Sequence, residues 1–165
     1  AALEGPAGPK ALALTRQNVP VLEGTKEKAA EGVRRGAYVL VEGSKETPDV
    51  ILMGTGSEVQ LAVEAAATLE GEGVAARVVS VPCMEWFLEQ DADYIESVLP
   101  AAVTARVSVE AGIAMPWHRF TGTAGRNVSL EHFGASAPYQ KLFEEFGITA
   151  DAVVAAAHDT ISASK

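Results

Sequence analysis

The residues Val50-Ile51-Leu52-Met53-Gly54-Thr55-Gly56-Ser57-Glu58-Val59 decide the fold class of this chain. The apolar run 50–53 predicts a strand because it is short and lies between Asp and Gly. Ser57 and Gln60 have the spacing of a capping box, which predicts a helix that begins here and ends near Gly71. A strand is predicted next at residues 77–81. The unit is therefore strand, helix, strand, and its two strands should be parallel.

Further elements are predicted on both sides of this unit. Strands are indicated by β-branched or alternating residues at 37–41, 103–109 and 127–132. Helices are indicated by a cap or a first-turn proline at Asp91, Pro138 and Thr149. This order predicts an α/β fold, a three-layer sandwich with a mixed, mainly parallel sheet of about five strands and helices on both faces.

Composition and charge argue against several classes of protein and of partner. The chain has 165 residues, 48% of them apolar, which suffices for one sizeable core. Its formal charge of −9 would repel a phosphate backbone, so nucleic acid is not expected as a partner. No apolar run reaches the roughly 20 residues that span a bilayer, and the start does not resemble a secretion signal. We therefore expect a cytoplasmic protein with no membrane partner. Its single cysteine, Cys83, cannot form an internal disulfide.

Residues 1–35 differ in character from the rest of the chain. Residues 25–35 are charged, follow Gly24 and include Gly32, a composition that favours an exposed connector over a core element. We therefore expect one folded domain at residues 36–165, preceded by a linker. The chain begins at Ala1 and not at a methionine, which suggests a piece of a longer protein.

The turn Gly54-Thr55-Gly56 lies between a predicted strand and a predicted helix, as the phosphate-binding loop of dinucleotide folds does. The third glycine of that motif is replaced by Val59, and no acidic residue ends the next strand. A tight turn with a capped helix is therefore the favoured interpretation. A small anion bound by the backbone amides is the alternative.

The other residues that could be catalytic or bind a metal do not form a recognisable sequence motif. His118, His132 and His158 occur singly and lack the spacing of metal ligands, which favours structural or surface roles. The serines lack a nucleophile-elbow sequence. No Asp precedes a glycine, so the Asp-Gly motif that could hold magnesium and a diphosphate is absent. No catalytic, cofactor or metal site is predicted within these residues.

Arg16 is the one charged residue that stands apart. It follows the apolar run 11–14 within Thr15-Arg16-Gln17, and a guanidinium at the end of a strand can clamp a phosphate with two hydrogen bonds. Chemistry alone favours a surface or interface arginine, since a single Arg beside a short strand has many uses.

Seven segments, taken in order and spacing, resemble the last part of transketolases. Among them are Ala13-Leu14-Thr15-Arg16-Gln17-Asn18, Val109-Glu110-Ala111-Gly112 with Trp117, and Phe133-Gly134-Ala135-Ser136-Ala137-Pro138. The other four lie at residues 36–40, 53–62, 77–82 and 90–100. Each motif alone is weakly specific, whereas the ordered set covers the chain from about residue 11 to residue 161.

The resemblance implies a function for the longer protein. Transketolases move a two-carbon ketol unit between sugar phosphates in the pentose phosphate pathway, with thiamine diphosphate and a divalent cation, Mg²⁺ or Ca²⁺. It implies that residues 1–35 end the preceding pyrimidine-binding domain and that residues 36–165 are the C-terminal domain. By resemblance Arg16 binds the phosphate of the sugar substrate, while the cofactor ligands lie upstream.

The resemblance also implies a homodimer, and we expect the edge near residues 103–112 to support it. The chain by itself should be structural and inactive. The alternatives are the matching domain of another thiamine enzyme, either deoxyxylulose phosphate synthase or a 2-oxo acid dehydrogenase component, and a regulatory module that binds a small anion at residues 54–58.

Overall fold

A computed structural model of the protein describes residues 1–4 and 8–164. Residues 5–7 of the predicted linker and residue 165 of the predicted domain lie outside the described residues. The described strands are β1 (Tyr38–Val41), β2 (Val50–Gly54), β3 (Ala76–Ser80), β4 (Arg106–Val109) and β5 (Arg126–Val128). The described α-helices are α1 (Thr25–Arg35), α2 (Val59–Gly71), α3 (Met84–Leu88), α4 (Ala92–Val98), α5 (His118–Thr121), α6 (Tyr139–Glu145) and α7 (Ala150–Ala163).

The five strands form one sheet in the order β1-β3-β2-β4-β5. Strands β3, β2, β4 and β5 are parallel to one another, and β1 pairs antiparallel with β3. The predicted mixed, mainly parallel sheet is confirmed, as is the parallel pair formed by β2 and β3. Strand β4 is bonded on both sides, so residues 106–109 are not a sheet edge, and the expected edge near 103–112 is wrong for this part.

Both faces of the sheet are covered, which explains the continuous apolar run of β2. Val50 and Leu52 pack with α2 and α7 on one face. Ile51 and Met53 belong to the apolar cluster of the other face, which includes Phe87 of α3. All four strand residues are fully buried, and burying each stabilises the fold by at most about 1.5–3 kcal/mol. The predicted three-layer sandwich is confirmed.

Residues 25–35 form helix α1 and not the expected connector. Gly32, which suggested a connector, is buried against the ring of Tyr38, and an added Cβ would lie 2.3 Å from that ring. The glycine therefore permits a close contact between α1 and β1. The guanidinium of Arg35 also lies 4.4 Å from the ring centroid of Tyr94, whose hydroxyl donates to the Ala37 carbonyl.

Helix ends were predicted with mixed success. Asp91 and Thr149 cap α4 and α7 as expected, by accepting from the amides of Tyr94 and Ala152. The capping box at Ser57 is wrong, because a 3-10 turn at Gly56–Glu58 precedes α2 and the Ser57 hydroxyl donates to the Glu58 carboxylate instead. No helix in the described part of the chain is both long and apolar enough to cross a membrane.

Strand β4 begins later than the alternating pattern predicted. The guanidinium of Arg106, its first residue, donates to the carbonyls of Val103, Leu99, Pro100 and Phe120. These bonds hold the chain in a turn before β4, and it reaches the sheet only at Ala105, whose carbonyl accepts from the Ile51 amide of β2 at 3.0 Å. Strand β5 is likewise shorter than predicted and ends at Val128.

Candidate functional site

Arg16, the one site residue predicted from the sequence, lies on a segment before α1 that contains no helix or strand between residues 9 and 22. Its guanidinium is exposed and makes no hydrogen bond or ion pair within the described residues. The hydroxyl of Thr15 donates to the side-chain carbonyl of Gln17. The neighbouring Leu14 is 80% exposed. The structure brings no other predicted site residue to Arg16, and its role stays a prediction.

Besides Arg16, a second candidate ligand site lies on the sheet, at the carboxyl ends of β2 and β4. From β2 the chain continues through α2 to β3 on one side, and from β4 it continues through α5 to β5 on the other side. Such a change of direction opens a crevice, where open α/β sheets usually bind ligands. The turn at residues 54–58 and the loop after Val109 form the two walls of this crevice.

Two carboxylates occupy these walls. Glu58 is buried, with 7% of its surface exposed, and accepts a hydrogen bond of 3.0 Å from the Ser57 hydroxyl. Glu110 follows β4 directly and accepts a hydrogen bond of 2.6 Å from the indole nitrogen of Trp117. Burial raises the pKa of Glu58, and the nearby charge of Glu110 raises it further.

This geometry disfavours the phosphate-type site considered at the glycine turn. The 54–58 turn ends at the buried side chain of Glu58, and the charge of Glu110 acts on the same place, so an incoming anion would be repelled. Gly54 serves packing, since an added Cβ would lie 3.2 Å from the Cα of Val59. The residues present do not fit the diphosphate of thiamine diphosphate, and the described residues contain no group of three His, Cys, Asp or Glu that could hold a metal ion.

Sequence reasoning did not single out Glu58 or Glu110 as a pair. They are far apart in the chain and meet only because β2 and β4 are neighbours in the sheet. A signal was present, because each acidic residue comes at or just after the end of an apolar strand, and the carboxyl ends of parallel strands share one edge.

The three histidines lie apart from this crevice or at its outer rim. His158 bonds through Nε2 to Glu72 at 2.8 Å, which joins α7 to the end of α2. The ring of His132 lies edge-on to Phe146, with 4.9 Å between the centroids. His118 is exposed at the start of α5.

Cys83 is partly buried, and its thiol faces the Glu85 carboxylate at 3.6 Å.

The doubly wound sheet and the acidic crevice define the class of the protein, an α/β domain that lacks the phosphate cradle of nucleotide-binding folds. The model of the Transketolase-like TK C-terminal domain family matches residues 36–149, and the chain belongs to that family.

Named relatives agree with this assignment. A transketolase of Mycobacterium leprae is 55% identical over 157 residues, which cover 93% of this chain and 22% of the relative. The transketolase structure from Leishmania mexicana has a TM-score of 0.80 at 40% identity and covers 89% of this chain and 20% of that chain. The chain thus spans about a fifth of the length of these relatives.

Two further structures bear on the function. The Pichia stipitis transketolase in complex with sedoheptulose 7-phosphate has a TM-score of 0.77 at 38% identity, covering 89% of this chain and 20% of that chain. A split-gene transketolase, described as an inactive β4 tetramer, has a TM-score of 0.63 at 26% identity, covering 80% of this chain and 44% of that chain. All these proteins are transketolases, so the other thiamine enzymes and the anion-binding module are not favoured.

Proposed function

We propose that this chain is the C-terminal domain of a transketolase, which transfers a two-carbon ketol unit between sugar phosphates in the pentose phosphate pathway. The observation that carries the proposal is the 55% identity to a named transketolase over 93% of the chain, together with the family match. The family match begins at Gly36, two residues before β1, which supports a domain at residues 36–165, and we propose that residues 1–35 end the preceding pyrimidine-binding domain.

Arg16 contacts the substrate in this proposal. The Pichia stipitis relative was solved in complex with a phosphorylated sugar, which supports a sugar phosphate as the group that Arg16 binds. The exposed guanidinium of Arg16 is not used by the described residues and can donate two parallel hydrogen bonds to such a group. Arg16 therefore orients the substrate and does not take part in bond breaking.

The rest of the enzyme holds the cofactor. In the proposal, thiamine diphosphate together with a divalent cation, Mg²⁺ or Ca²⁺, would supply the chemistry of ketol transfer. The acidic crevice would repel a diphosphate, and the described residues contain no group of three potential metal ligands, so we propose that the ligands of both groups belong to the part of the enzyme that this chain does not span.

The domain itself supports assembly. We propose that the enzyme is a cytoplasmic homodimer and that this domain contributes to the contact between subunits. The description of the split-gene relative as a β4 tetramer supports self-association of chains that include this fold, which accounts for 44% of that chain.

A chimeric enzyme tests the proposal. This chain replaces the matching C-terminal part of the Mycobacterium leprae transketolase, and ketol transfer is measured with phosphorylated and unphosphorylated donors. The chimera should be active, and Arg16→Ala should reduce kcat/KM at least about tenfold for phosphorylated donors and little for unphosphorylated ones. Arg16→Lys should recover part of the loss.

A matched control is Lys26→Ala, which removes an exposed cation from α1 and should leave both donors unaffected. An inactive but folded chimera would contradict the proposed function. Equal losses for both kinds of donor in Arg16→Ala would instead remove only the phosphate-binding role of Arg16.

A further inference from the structure

The indole of Trp117 joins one wall of the acidic crevice to the apolar core. Only 1% of its surface is exposed, and its ring packs edge-on against Phe120, with 6.3 Å between the centroids. Its nitrogen donates to Oε2 of Glu110 at 2.6 Å, which is shorter than the usual distance of about 2.9 Å between nitrogen and oxygen. Hydrogen bonds become short in this way when the acceptor is ionised. Glu110 is therefore the ionised member of the carboxyl pair.

Glu58 is the member of the pair that is more fully excluded from water. It is buried, whereas Glu110 is half-buried. Burial and the charge of Glu110 raise the pKa of Glu58, and together they outweigh the hydrogen bonds from the Ser57 hydroxyl and from the backbone, which favour the ionised form. Two carboxyl groups at one site hold a single negative charge more easily than two. The favoured state of the pair is a neutral Glu58 beside an ionised Glu110.

A second charge at this site would not be neutralised by a cation of the described residues. Other charged or titratable groups on the segments around the crevice include Glu64, Glu85, His118, Arg119, Glu131 and His158. The charge of His118 acts on Glu131, and His158 is bonded to Glu72. Among the described residues, no Lys, Arg or His lowers the pKa of Glu58. Ionisation of Glu58 would therefore leave two negative charges that repel each other.

The side chain of Glu110 can relieve this repulsion, because it reaches solvent while its backbone is held. The Glu110 amide donates to the Val128 carbonyl at 3.1 Å, and the Leu130 amide donates to the Gly112 carbonyl at 2.8 Å. The Glu110 side chain folds back over Gly112, where an added Cβ would lie 3.2 Å from its Cδ. Rotation of this side chain toward solvent would break its hydrogen bond to Trp117 without moving the loop.

We propose that the protonation of Glu58 switches the hydrogen bond between Glu110 and Trp117. The bond is made while Glu58 is neutral, and it breaks when Glu58 releases its proton to water and Glu110 turns outward. The crevice then changes from one negative charge and a bonded indole to two negative charges and a free indole N–H. This pH-sensitive device belongs to the domain itself and goes beyond the proposed ketol transfer.

NMR of the unchanged chain over a range of pH tests the proposal. The indole N–H signal of Trp117 should shift with a midpoint above 4.5, the ordinary value of a Glu carboxyl group. The side-chain carboxyl carbon of Glu58 should titrate with the same midpoint. Above that midpoint the indole proton of Trp117 should exchange faster with water, because its hydrogen bond is lost. A Trp117 signal without a step at the midpoint of Glu58 would overturn the proposal, and this measurement needs no variant.

Two variants separate the members of the pair. Glu58→Gln cannot ionise, so the step at the midpoint of Glu58 should disappear from the Trp117 signal. Glu110→Gln removes the neighbouring charge, so the midpoint of Glu58 should fall. The matched control Glu64→Gln, at an exposed carboxylate of α2, should leave both titrations unchanged. The signal of Trp86 on α3 should be the same in Glu58→Gln and in the unchanged chain.

A step that persists in Glu58→Gln would contradict the proposal, as would an unmoved Glu58 midpoint in Glu110→Gln or an effect of the control as large as that of Glu58→Gln. None of these measurements involves ketol transfer, so their failure leaves the proposed function to its own chimera assay.

Discussion

Gly36 combines two constraints at one residue, where α1 ends and the sheet begins. Its φ of +84° lies in the left-handed region, and an added Cβ would lie 2.3 Å from the Cys83 carbonyl oxygen and 2.4 Å from the Phe87 amide nitrogen. The conformation alone costs alanine about 1–2 kcal/mol, and the neighbouring backbone of α3 cannot move aside without losing its own contacts. We expect Gly36→Ala to lower the free energy of unfolding by at least about 3 kcal/mol in urea titrations.

Gly56 is the matched control, because its φ of +54° is also left-handed but nothing lies within 4 Å of an added Cβ. Gly56→Ala should cost only about 1–2 kcal/mol. Equal losses for the two variants would show that the close approach of Gly36 to α3 contributes nothing.

Glu58 should make stability depend on pH. Its buried carboxyl group has a raised pKa, so the native state holds a proton that the unfolded state releases near the ordinary value of 4.5. The stabilisation is complete below that value and is lost as the pH rises through the higher native pKa. Glu58→Gln removes this titration, so the variant should gain stability relative to the unchanged chain between pH 4 and pH 7.

Urea unfolding at both pH values measures the difference. Glu64→Gln, which changes an exposed carboxylate on the same helix, is the matched control for loss of one carboxylate. A difference between Glu58→Gln and the unchanged chain that is the same at both pH values would mean that burial of Glu58 does not disfavour its charge.

At the scale of elements, Gly32 decides how closely α1 approaches the sheet. Alanine would favour the helix by up to about 1 kcal/mol, but its Cβ would lie 2.3 Å from the ring and 2.7 Å from the Cβ of Tyr38, which is too short for any contact. The clash outweighs the gain, so we expect Gly32→Ala to be destabilising. Gly71→Ala in α2 meets nothing within 4 Å and should stabilise by up to about 1 kcal/mol. Thermal unfolding of both variants checks the prediction, and a stabilised Gly32→Ala would contradict it.

Sequence patterns predict elements that depend on local residues, and they fail where a residue such as Gly32 is explained by a contact made only in the folded chain. The unit β2–α2–β3 could be predicted because its apolar period and its bounding glycines depend only on local sequence. Gly32 suggested a connector in place of helix α1. The reason for this glycine is a close contact with Tyr38, which only the fold creates. Strand β4 was predicted too long because the carbonyls bound by Arg106 come from four residues outside the strand.

In the whole molecule, one part of the candidate site could be predicted from the sequence and the other part required the fold. Arg16 could be proposed because it stands in a short motif that resembles transketolases, and its exposed position neither supports nor removes that role. The pairing of Glu58 with Glu110 required the strand order, since β2 and β4 are neighbours only after β3 has been placed on the other side of β2. The family match therefore identifies the domain, while the sheet topology explains its acidic crevice.

That crevice leads to a prediction for the chain by itself. The chain carries a formal charge of −9, two carboxylates face the place where a diphosphate would enter, and no group of three potential metal ligands occurs within the described residues. We therefore expect no saturable heat when the chain is titrated with thiamine diphosphate and Mg²⁺, and no ketol transfer at high cofactor concentration. An active transketolase titrated under the same conditions is the positive control. Saturable binding or turnover by the isolated chain would contradict the view that the cofactor ligands belong to the rest of the enzyme, because the only residues available would then be those of this domain.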